Sequence, residues 1–264
     1  MLSETAACTS VEEGRRLIAA ADAAVATYSF AENYVALAHV RRIREIVGRG
    51  EIGRVELIEA DYLHGLSPDA LNALLGPPDH WRNRIAPTAY CTHTVSPILA
   101  VSDAWPVEVS AFAVVESKRP MAVVLAIRLS TGGLALARHG FLQGEPDSHW
   151  SWLSVRSHRG LAENVRGPAE TAWHVRVRVE PWASDNGDLC EEIVAPPAMT
   201  IAGAPIDPAD QGTAAVLAAF RATIEQGAAP LVAVRPAVAA SLVGVIGAQS
   251  LQRGSIPLPV PRLD

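Results

Sequence analysis

The chain has 264 residues, of which 49% are hydrophobic and 19% are charged, and its formal net charge is −6 at pH 7. This length and hydrophobic content allow one large domain or two small ones with a sizeable core, and they exclude a chain that is disordered throughout. The acidic balance argues against a general nucleic-acid binder, which would carry a basic face.

A capping box predicts where the first helix begins. The Ser10 hydroxyl and the Glu13 carboxylate are spaced so that each can accept a hydrogen bond from a free backbone N–H. Hydrophobic periodicity then sets the next elements. We predict a helix to about Ala24, a short strand and a loop over 25–34, a helix from about Leu37 to Val47, and a strand over 54–62.

Residues 65–90 are rich in proline, glycine and asparagine, and they are predicted to form a long loop, a kind of segment that often carries function. A short helix is predicted after Thr94. The pattern then changes to strands joined by short turns, which is typical of antiparallel pairing. These strands are predicted over 107–116, 121–130, 133–141, 149–156 and 171–180.

The last predicted strand has the clearest alternation. Trp173, Val175, Val177 and Val179 form an apolar face, and they alternate with His174, Arg176, Arg178 and Glu180 on a wet face. An irregular, proline-rich stretch is predicted over 181–209, and two helices over 210–226 and 236–252, with Pro236 at a first helical position and Gly254 as a helix stop. This order of elements predicts an α+β fold.

Other sequence features limit the environment of the protein. No segment approaches eighteen uninterrupted apolar residues, so we predict no membrane span. The first residues lack the basic start and apolar core of a signal peptide. Cys8, Cys91 and Cys190 are widely separated and form no CxxC pair, which favours a reducing cytoplasm.

Residues 48–53, Gly-Arg-Gly-Glu-Ile-Gly, match the GxGxxG dinucleotide motif. A working dinucleotide loop follows a strand and opens a helix, because the helix N-terminus holds the pyrophosphate. Here a predicted helix precedes the glycines and a predicted strand follows them. We therefore interpret the motif as a helix C-cap and a turn, and we find no phosphate loop in the sequence.

Several short segments, in this order, carry a family resemblance: Ser3-Glu4-Thr5-Ala6, Ala31-Glu32-Asn33-Tyr34, residues 50–53 (Gly-Glu-Ile-Gly), residues 90–99 from Tyr-Cys-Thr-His onward, and the ending from Phe220 to Pro261. Together they resemble the Gfo/Idh/MocA oxidoreductases. The resemblance implies a large, mostly antiparallel open sheet with helices on one face, preceded by the remnant of a doubly wound domain. On this interpretation residues 1–34 are the remnant of the dinucleotide-binding domain, and residues 35–264 are the substrate-binding and dimerisation domain.

The resemblance also implies site residues. His93 matches the histidine that acts as acid or base at the reacting sugar carbon, a role that suits an imidazole near neutral pH; the structural alternative is a helix cap. Tyr90 matches a partner of a substrate hydroxyl, or it is a half-buried aromatic. Thr5 stands where many members have a catalytic lysine.

Further candidates lie on both sides of this segment. In the upstream loop, Trp81 can stack on a sugar ring and Arg82 can bind hydroxyls or a carboxylate, although both are as well explained as loop anchors. Glu4, Asn33 and Tyr34 are cofactor-proximal by resemblance; as isolated residues they are more often a surface charge, a turn and a core residue. Away from these segments, His64, His149 and His174 have no ligand spacing, so we predict surface or sheet-face positions and no metal site.

The family uses NAD or NADP to move a hydride at a sugar-like alcohol, and the protein supplies positioning and proton transfer. Without a phosphate loop, the chain is expected to be inactive and to bind the nucleotide poorly unless a nucleotide-binding part, such as a separate subunit, completes it. The expected partners are a sugar-like small molecule and a second copy docked on the sheet face, with no nucleic acid and no membrane. Two alternatives remain: a cofactor-independent lyase, isomerase or hydrolase that uses His93, and a non-catalytic sugar-binding or assembly module.

Overall fold

A computed structural model describes residues 1–117, 120–141, 150–167, 170, 172–196, 198–201 and 203–263. Six helices have the bounds Val11–Ala23 (α1), Ala38–Gly48 (α2), Pro68–Leu75 (α3), Thr92–Ser102 (α4), Gln211–Gln226 (α5) and Val234–Gln252 (α6). The strands are Leu2–Ser3 (β1), Ser29–Phe30 (β2), Val55–His64 (β3), Pro106–Ala113 (β4), Ala122–Leu129 (β5), Leu134–Phe141 (β6), Leu153–Ser157 (β7), Gly160–Val165 (β8), His174–Val179 (β9), Cys190–Val194 (β10), Thr200–Ile201 (β11), Ala204–Pro205 (β12) and Leu258–Pro259 (β13).

A nine-stranded sheet forms the centre of the fold, in the order β10-β9-β8-β7-β3-β6-β5-β4-β13. Strands β3 and β6 run parallel, whereas their outer neighbours β7 and β5 pair with them antiparallel. The fold is α+β as predicted, but the sheet is mixed, which corrects the expectation of a mostly antiparallel sheet. The parallel pair forms because a long helical connection carries the chain from β3 to β4, and the meander β4-β5-β6 then returns to the edge of β3.

One face of this sheet is covered by helices. Helix α4 packs on β3, and α6 packs on both β4 and α4. Helix α6 is long and apolar enough to cross a membrane by composition, but 67% of its most apolar window is buried inside the fold, as in a core helix. The largest fully buried side chains of this core are Phe30, Ile43, Ile46, Ile52, Ile58, Ile98, Leu125, Ile127, Leu129, Leu153, Leu242 and His139.

The opposite face is open and carries ion pairs. Along β9, Val175 and Val177 are buried on the helical side, whereas Arg176 and Arg178 point to the open side. Arg176 binds Glu163 on the neighbouring strand at 3.1 Å. The predicted alternation of β9 is therefore confirmed for these residues.

The N-terminal residues form a small β-α-β unit. Strand β1 pairs parallel with β2, and α1 connects them. The Ser10 hydroxyl accepts a hydrogen bond from the Glu13 N–H at 3.1 Å, and the Glu13 carboxylate accepts one from the Thr9 N–H at 2.8 Å. The predicted start of α1 is therefore confirmed.

Five sequence predictions were wrong in detail. The segment 65–90 contains α3, which begins because the Ser67 hydroxyl caps the Ala70 N–H and Pro68 suits a first helical position. Helix α4 begins at Thr92, before the predicted start after Thr94, and α6 begins at Val234 rather than at Pro236. Strand β10 lies inside the stretch predicted to be irregular, and β8 was not predicted at all.

The GxGxxG segment is a turn, as the sequence indicated. Gly48 ends α2, and Gly50 and Gly53 adopt positive φ angles of 70° and 81° before β3 begins. Trp173, predicted to lie in the last strand, lies just before β9, where its ring is 5.6 Å from that of His39 and beneath the Arg166 guanidinium.

Candidate functional site

The site is centred on His93, in the first turn of α4. Its Nδ1 atom lies 2.8 Å from Oε1 of Glu32, whose side chain is fully buried. The second carboxylate oxygen of Glu32, Oε2, is also buried and has no hydrogen-bond partner among the residues that the structure describes. A carboxylate accepts a hydrogen bond from an N–H, so a neutral His93 in this pair carries its proton on Nδ1 and keeps a basic Nε2.

Glu32 reaches His93 because of two local features. Strand β2 ends at Phe30, and a turn of 3₁₀ helix then runs from Asn33 to Ala36. Glu32 is the residue that caps this turn, and its carboxylate also accepts a hydrogen bond from the Tyr34 N–H at 3.3 Å. The capping bond and the bond to His93 hold the same oxygen in place.

Three tyrosine rings surround the His93 ring. Tyr34 stacks on it with centroids 4.6 Å apart, Tyr62 lies at 4.7 Å and Tyr90 at 5.9 Å. Burial raises the pKa of Tyr62 to about 12, and burial also raises the pKa of Tyr34. Both phenols therefore stay protonated near neutral pH and can act only as neutral hydrogen-bonding groups.

Thr5 also lies at this site. Its hydroxyl is 2.5 Å from that of Thr92, the residue before His93. Glu4 follows β1, and Glu32 and Asn33 follow β2. Because β1 and β2 are parallel, all of these residues lie at the same edge of the small sheet.

A cavity of about 520 Å³ lies beside the tyrosines. Two of its walls, Tyr62 and Tyr90, contact the His93 ring directly, which connects the cavity to the acid–base group. Arg82 also lines the cavity, and its guanidinium lies 4.4 Å above the ring of Trp81. The remaining walls are mostly apolar: Leu66, Ala70, Leu74, Leu75, Ile85, Ala86, Pro87, Pro120, Met121 and Phe141, with His64, His139 and Gly140.

The predicted site residues do not all come together. Tyr90 and Tyr34 contact His93, whereas Arg82 lines the cavity and its guanidinium lies over the Trp81 ring. Glu4 is exposed beyond the end of β1. The cofactor-proximal roles of Glu4, Asn33 and Tyr34 stay predictions. Tyr34 is buried, and its ring supports His93.

Among the described residues, His64 and His139 lie near this pair and His174 lies away from it. His64 lines the cavity, and His174 lies on the open sheet face at the start of β9. His149 lies outside the described residues. His139 is buried beside the site, with its Nε2 atom 3.1 Å from the Pro87 carbonyl, and burial lowers its pKa to about 4. His139 is therefore neutral near pH 7.

Sequence reasoning missed Glu32, Tyr62 and His139. Glu32 lay inside a quoted motif, but its bond partner is 61 residues away, and no sequence pattern joins the two. Tyr62 and His139 lie near the ends of β3 and β6, a position that would have indicated them only if the parallel pairing of these strands had been predicted.

The described residues fit an alcohol substrate better than a dinucleotide. A pyrophosphate requires a glycine-rich turn that leads into a helix N-terminus. The glycines at 48–53 instead follow a helix and lead into β3. Among the described residues, the polar groups of the site include an imidazole, a carboxylate, phenols, the Thr5 and Thr92 hydroxyls and the Arg82 guanidinium, all of which can bind hydroxyl groups.

The fold is shared with solved oxidoreductases. Levoglucosan dehydrogenase in complex with NADH and levoglucosan superimposes with a TM-score of 0.77 and 13% identity over 98% of this chain and 73% of that one. An oxidoreductase from Agrobacterium radiobacter in complex with NAD⁺, L-tartaric acid and magnesium has a TM-score of 0.74 and 10% identity, and the match covers 98% of this chain and 72% of that one. Aldose-aldose oxidoreductase from Caulobacter crescentus complexed with glycerol has a TM-score of 0.71 and 15% identity, and the match covers 98% of this chain and 71% of that one.

These similarities confirm the predicted resemblance to the fold of Gfo/Idh/MocA-type oxidoreductases. No protein-family model matches the chain. A search of curated proteins found no match either.

Proposed function

We propose that this chain is the substrate-binding and proton-transfer part of an NAD(P)-dependent oxidoreductase for a sugar or a sugar-like alcohol. The observation that carries the proposal is the buried Glu32–His93 pair beneath the tyrosines that line the cavity. The similar solved structures include complexes with levoglucosan and with glycerol, both of which are alcohols. The overall fold is common to this group, and the site of this chain contains polar groups that can bind hydroxyls.

His93 moves the proton in this proposal. A substrate hydroxyl within about 2.6–3.2 Å of Nε2 would donate its proton to the ring as the carbinol becomes a carbonyl. The buried Glu32 carboxylate then stabilises the imidazolium through the bond at Nδ1. Tyr62 and Tyr90 orient the substrate hydroxyls as neutral donors or acceptors.

The nucleotide gives or accepts the hydride, and the described residues form no glycine-rich turn that could bind its pyrophosphate. We therefore propose that residues 1–34 are part of a dinucleotide-binding domain, that residues 35–264 are the substrate and dimerisation domain, and that another nucleotide-binding part completes the enzyme. The parallel β1-α1-β2 unit supports this division, because such units build doubly wound domains.

The test combines binding and turnover. Calorimetry with NADH should give very weak or undetectable binding to the purified chain, and levoglucosan with NAD⁺ should produce no NADH absorbance. Ligand-observed NMR should nevertheless detect a polyol such as levoglucosan or glycerol at the His93 site, with the signal reduced by Tyr90→Ala.

Three results would contradict the proposal in different ways. Micromolar NADH affinity would overturn the claim that another part must supply the nucleotide site. Conversion of a polyol without any nucleotide would favour a cofactor-independent lyase, isomerase or hydrolase. A failure of every tested polyol to bind would favour an assembly module.

A further inference from the structure

The cavity beside His93 has two chemically different ends. Its polar end is formed by Tyr62 and Tyr90, which contact the His93 ring. Arg82, His64 and His139 also line the cavity, and its remaining walls are largely aliphatic and aromatic side chains, among them Leu74, Leu75 and Ile85. A sugar bound through all of its hydroxyl groups would require polar partners on both sides.

Helix α3 supplies part of the apolar wall, and the residues that the structure describes do not bury it. Five of its eight residues are leucine or alanine, yet none of its residues is fully buried. Leu74 and Leu75 remain half-buried and face the cavity. A helix normally buries its apolar stripe against another element, so an apolar ligand would complete the packing of α3.

The size of the cavity indicates the same kind of ligand. Its volume of about 520 Å³ lies within the range of roughly 300–1,000 Å³ that is typical of sites for drug-sized molecules. A hydroxyl pressed against Leu74 or Phe141 would lose its bonds to water without replacement. A methylene in the same place would strengthen binding by about fourfold.

We propose that the substrate of this site is an amphipathic alcohol. Its sugar-like head lies at Tyr62, Tyr90 and His93, and an alkyl or aryl substituent, as in an alkyl or aryl glycoside, occupies the apolar part of the cavity beside α3. This substrate class rests on the proposed function, because His93 is assumed to act on the hydroxyl of the head.

A series of ligands with one head and growing tails tests the idea without knowledge of the sugar. Vicinal diols of butane, hexane and octane share a head of two hydroxyls and differ only in methylenes. We expect calorimetry to give one site per chain, with affinity rising about fifteenfold for each pair of added methylenes until the cavity is filled. An affinity that does not change with tail length would overturn the proposal.

Matched variants locate the tail. Leu74→Arg places a long charged side chain in the apolar wall and should remove the dependence on tail length. Leu217→Arg makes the same change on the exposed surface of α5, where Leu217 is 55% exposed, and should leave that dependence intact. Circular dichroism would establish that both proteins fold, and an unchanged dependence in folded Leu74→Arg would contradict the assigned position.

The same titration in His93→Asn separates the two proposals. The apolar wall does not include His93, so the dependence on tail length should persist in this variant. If the catalytic role of His93 fails while the dependence persists, only the proposed function is lost. If the dependence is absent from the parent while His93 proves essential for turnover, only the amphipathic substrate class is lost.

Discussion

The Nδ1 atom of His93 bonds to Glu32, and its ring stacks on Tyr34. A substitution of His93 can therefore remove its chemistry without removing a core side chain. His93→Asn should lower the turnover of the completed enzyme by about 10²–10⁴-fold, the usual effect of losing one positioned acid–base group. Thermal melting should stay within a few degrees of the parent. Steady-state assays measure turnover, and circular dichroism measures thermal melting.

A second histidine substitution provides the control. His158→Asn changes an exposed turn residue between β7 and β8, whose Nδ1 accepts a hydrogen bond from the Arg54 N–H at 2.8 Å, and it should leave turnover unchanged. Unchanged turnover in folded His93→Asn would remove His93 from the mechanism. A collapse in stability would instead support the structural alternative, in which His93 caps α4.

Glu32 is predicted to act through His93 and not on the substrate. In Glu32→Gln the amide oxygen can still accept the bond from Nδ1, but the negative charge that stabilises the imidazolium is lost. We expect kcat to fall by roughly 10²-fold or more while KM changes little. Steady-state kinetics measure both parameters.

Glu13→Gln is the matched control for Glu32, because Glu13 accepts hydrogen bonds from Thr9 at the surface end of α1. It should leave kcat unchanged. A Glu32→Gln enzyme with normal kcat, or one that loses only substrate affinity, would argue that the carboxylate merely fixes the turn of the backbone.

At the scale of the residue, the sequence predicted the members of the site that belong to short motifs and missed those defined by distant contacts. His93 and Tyr90 were found because they lie in one segment. Glu32 lies in one of the segments that carry the family resemblance, but its role depends on a contact with another part of the chain. The bidentate pair of Asp61 with Arg138, at 2.7 Å for both bonds, was missed for the same reason, since the two meet only through the parallel pairing of β3 and β6.

At the scale of the element, strong periodicity was a reliable guide and composition was not. The alternation of β9 and the capping of α1 are local signals, and both are confirmed. Helix α3 was missed because prolines and glycines dominate the composition of the surrounding segment, although that segment also contains a good N-cap, Ser67. Strand β10 was missed because Glu191 and Glu192 interrupt its pattern; it is an edge strand with no buried residue.

The start of β8 offers a test of strand packing. Gly160 pairs with Val179, and an added Cβ atom there would lie 2.0 Å from the Arg178 carbonyl oxygen. Because the obstacle is backbone, Gly160→Ala should separate β8 from β9 and lower the free energy of unfolding by more than about 2 kcal/mol. Urea denaturation followed by circular dichroism measures the loss.

Gly48→Ala is the corresponding control. Gly48 is the last residue of α2, and an added Cβ atom meets nothing within 4 Å. This substitution should be neutral or stabilising by up to about 1 kcal/mol, because alanine favours the helix. Equal effects of the two substitutions would contradict the close approach of β8 to β9.

At the scale of the whole molecule, two buried histidines make stability depend on pH. Burial lowers the pKa of both His39 and His139 from 6.5 to about 4. Between these values the unfolded chain takes up protons that the folded chain does not, so stability falls as the pH falls. From pH 7 to pH 5 each histidine should cost roughly 2 kcal/mol of unfolding free energy.

Urea titrations at the two pH values test this expectation. His139→Gln should remove about half of the loss attributed to the two histidines, whereas His80→Gln, in a loop, should not change it. A loss that is the same in the parent and in His139→Gln would show that the buried imidazole of His139 does not contribute.

The open face of the large sheet is the surface on which we expect a second copy to dock. Leu57, Leu134 and Leu136 lie side by side near its centre and are only half-buried, because none of the described helices covers this side. Toward one end the face carries the ion-paired Arg176 and Arg178. Two copies related by a twofold axis would each bury the apolar centre and match charges at the rim, which gives a moderately polar homodimer.

Light scattering at tens of micromolar should therefore give the mass of a dimer. Leu136→Arg places a charge at the centre of the face and should shift the protein to monomer, because an unpaired charge buried in an interface is strongly unfavourable. Leu217→Arg, on the exposed surface of α5, should remain dimeric. A monomeric parent would count against association at this concentration, and a Leu136→Arg protein that stays dimeric would show that the copies meet through another surface.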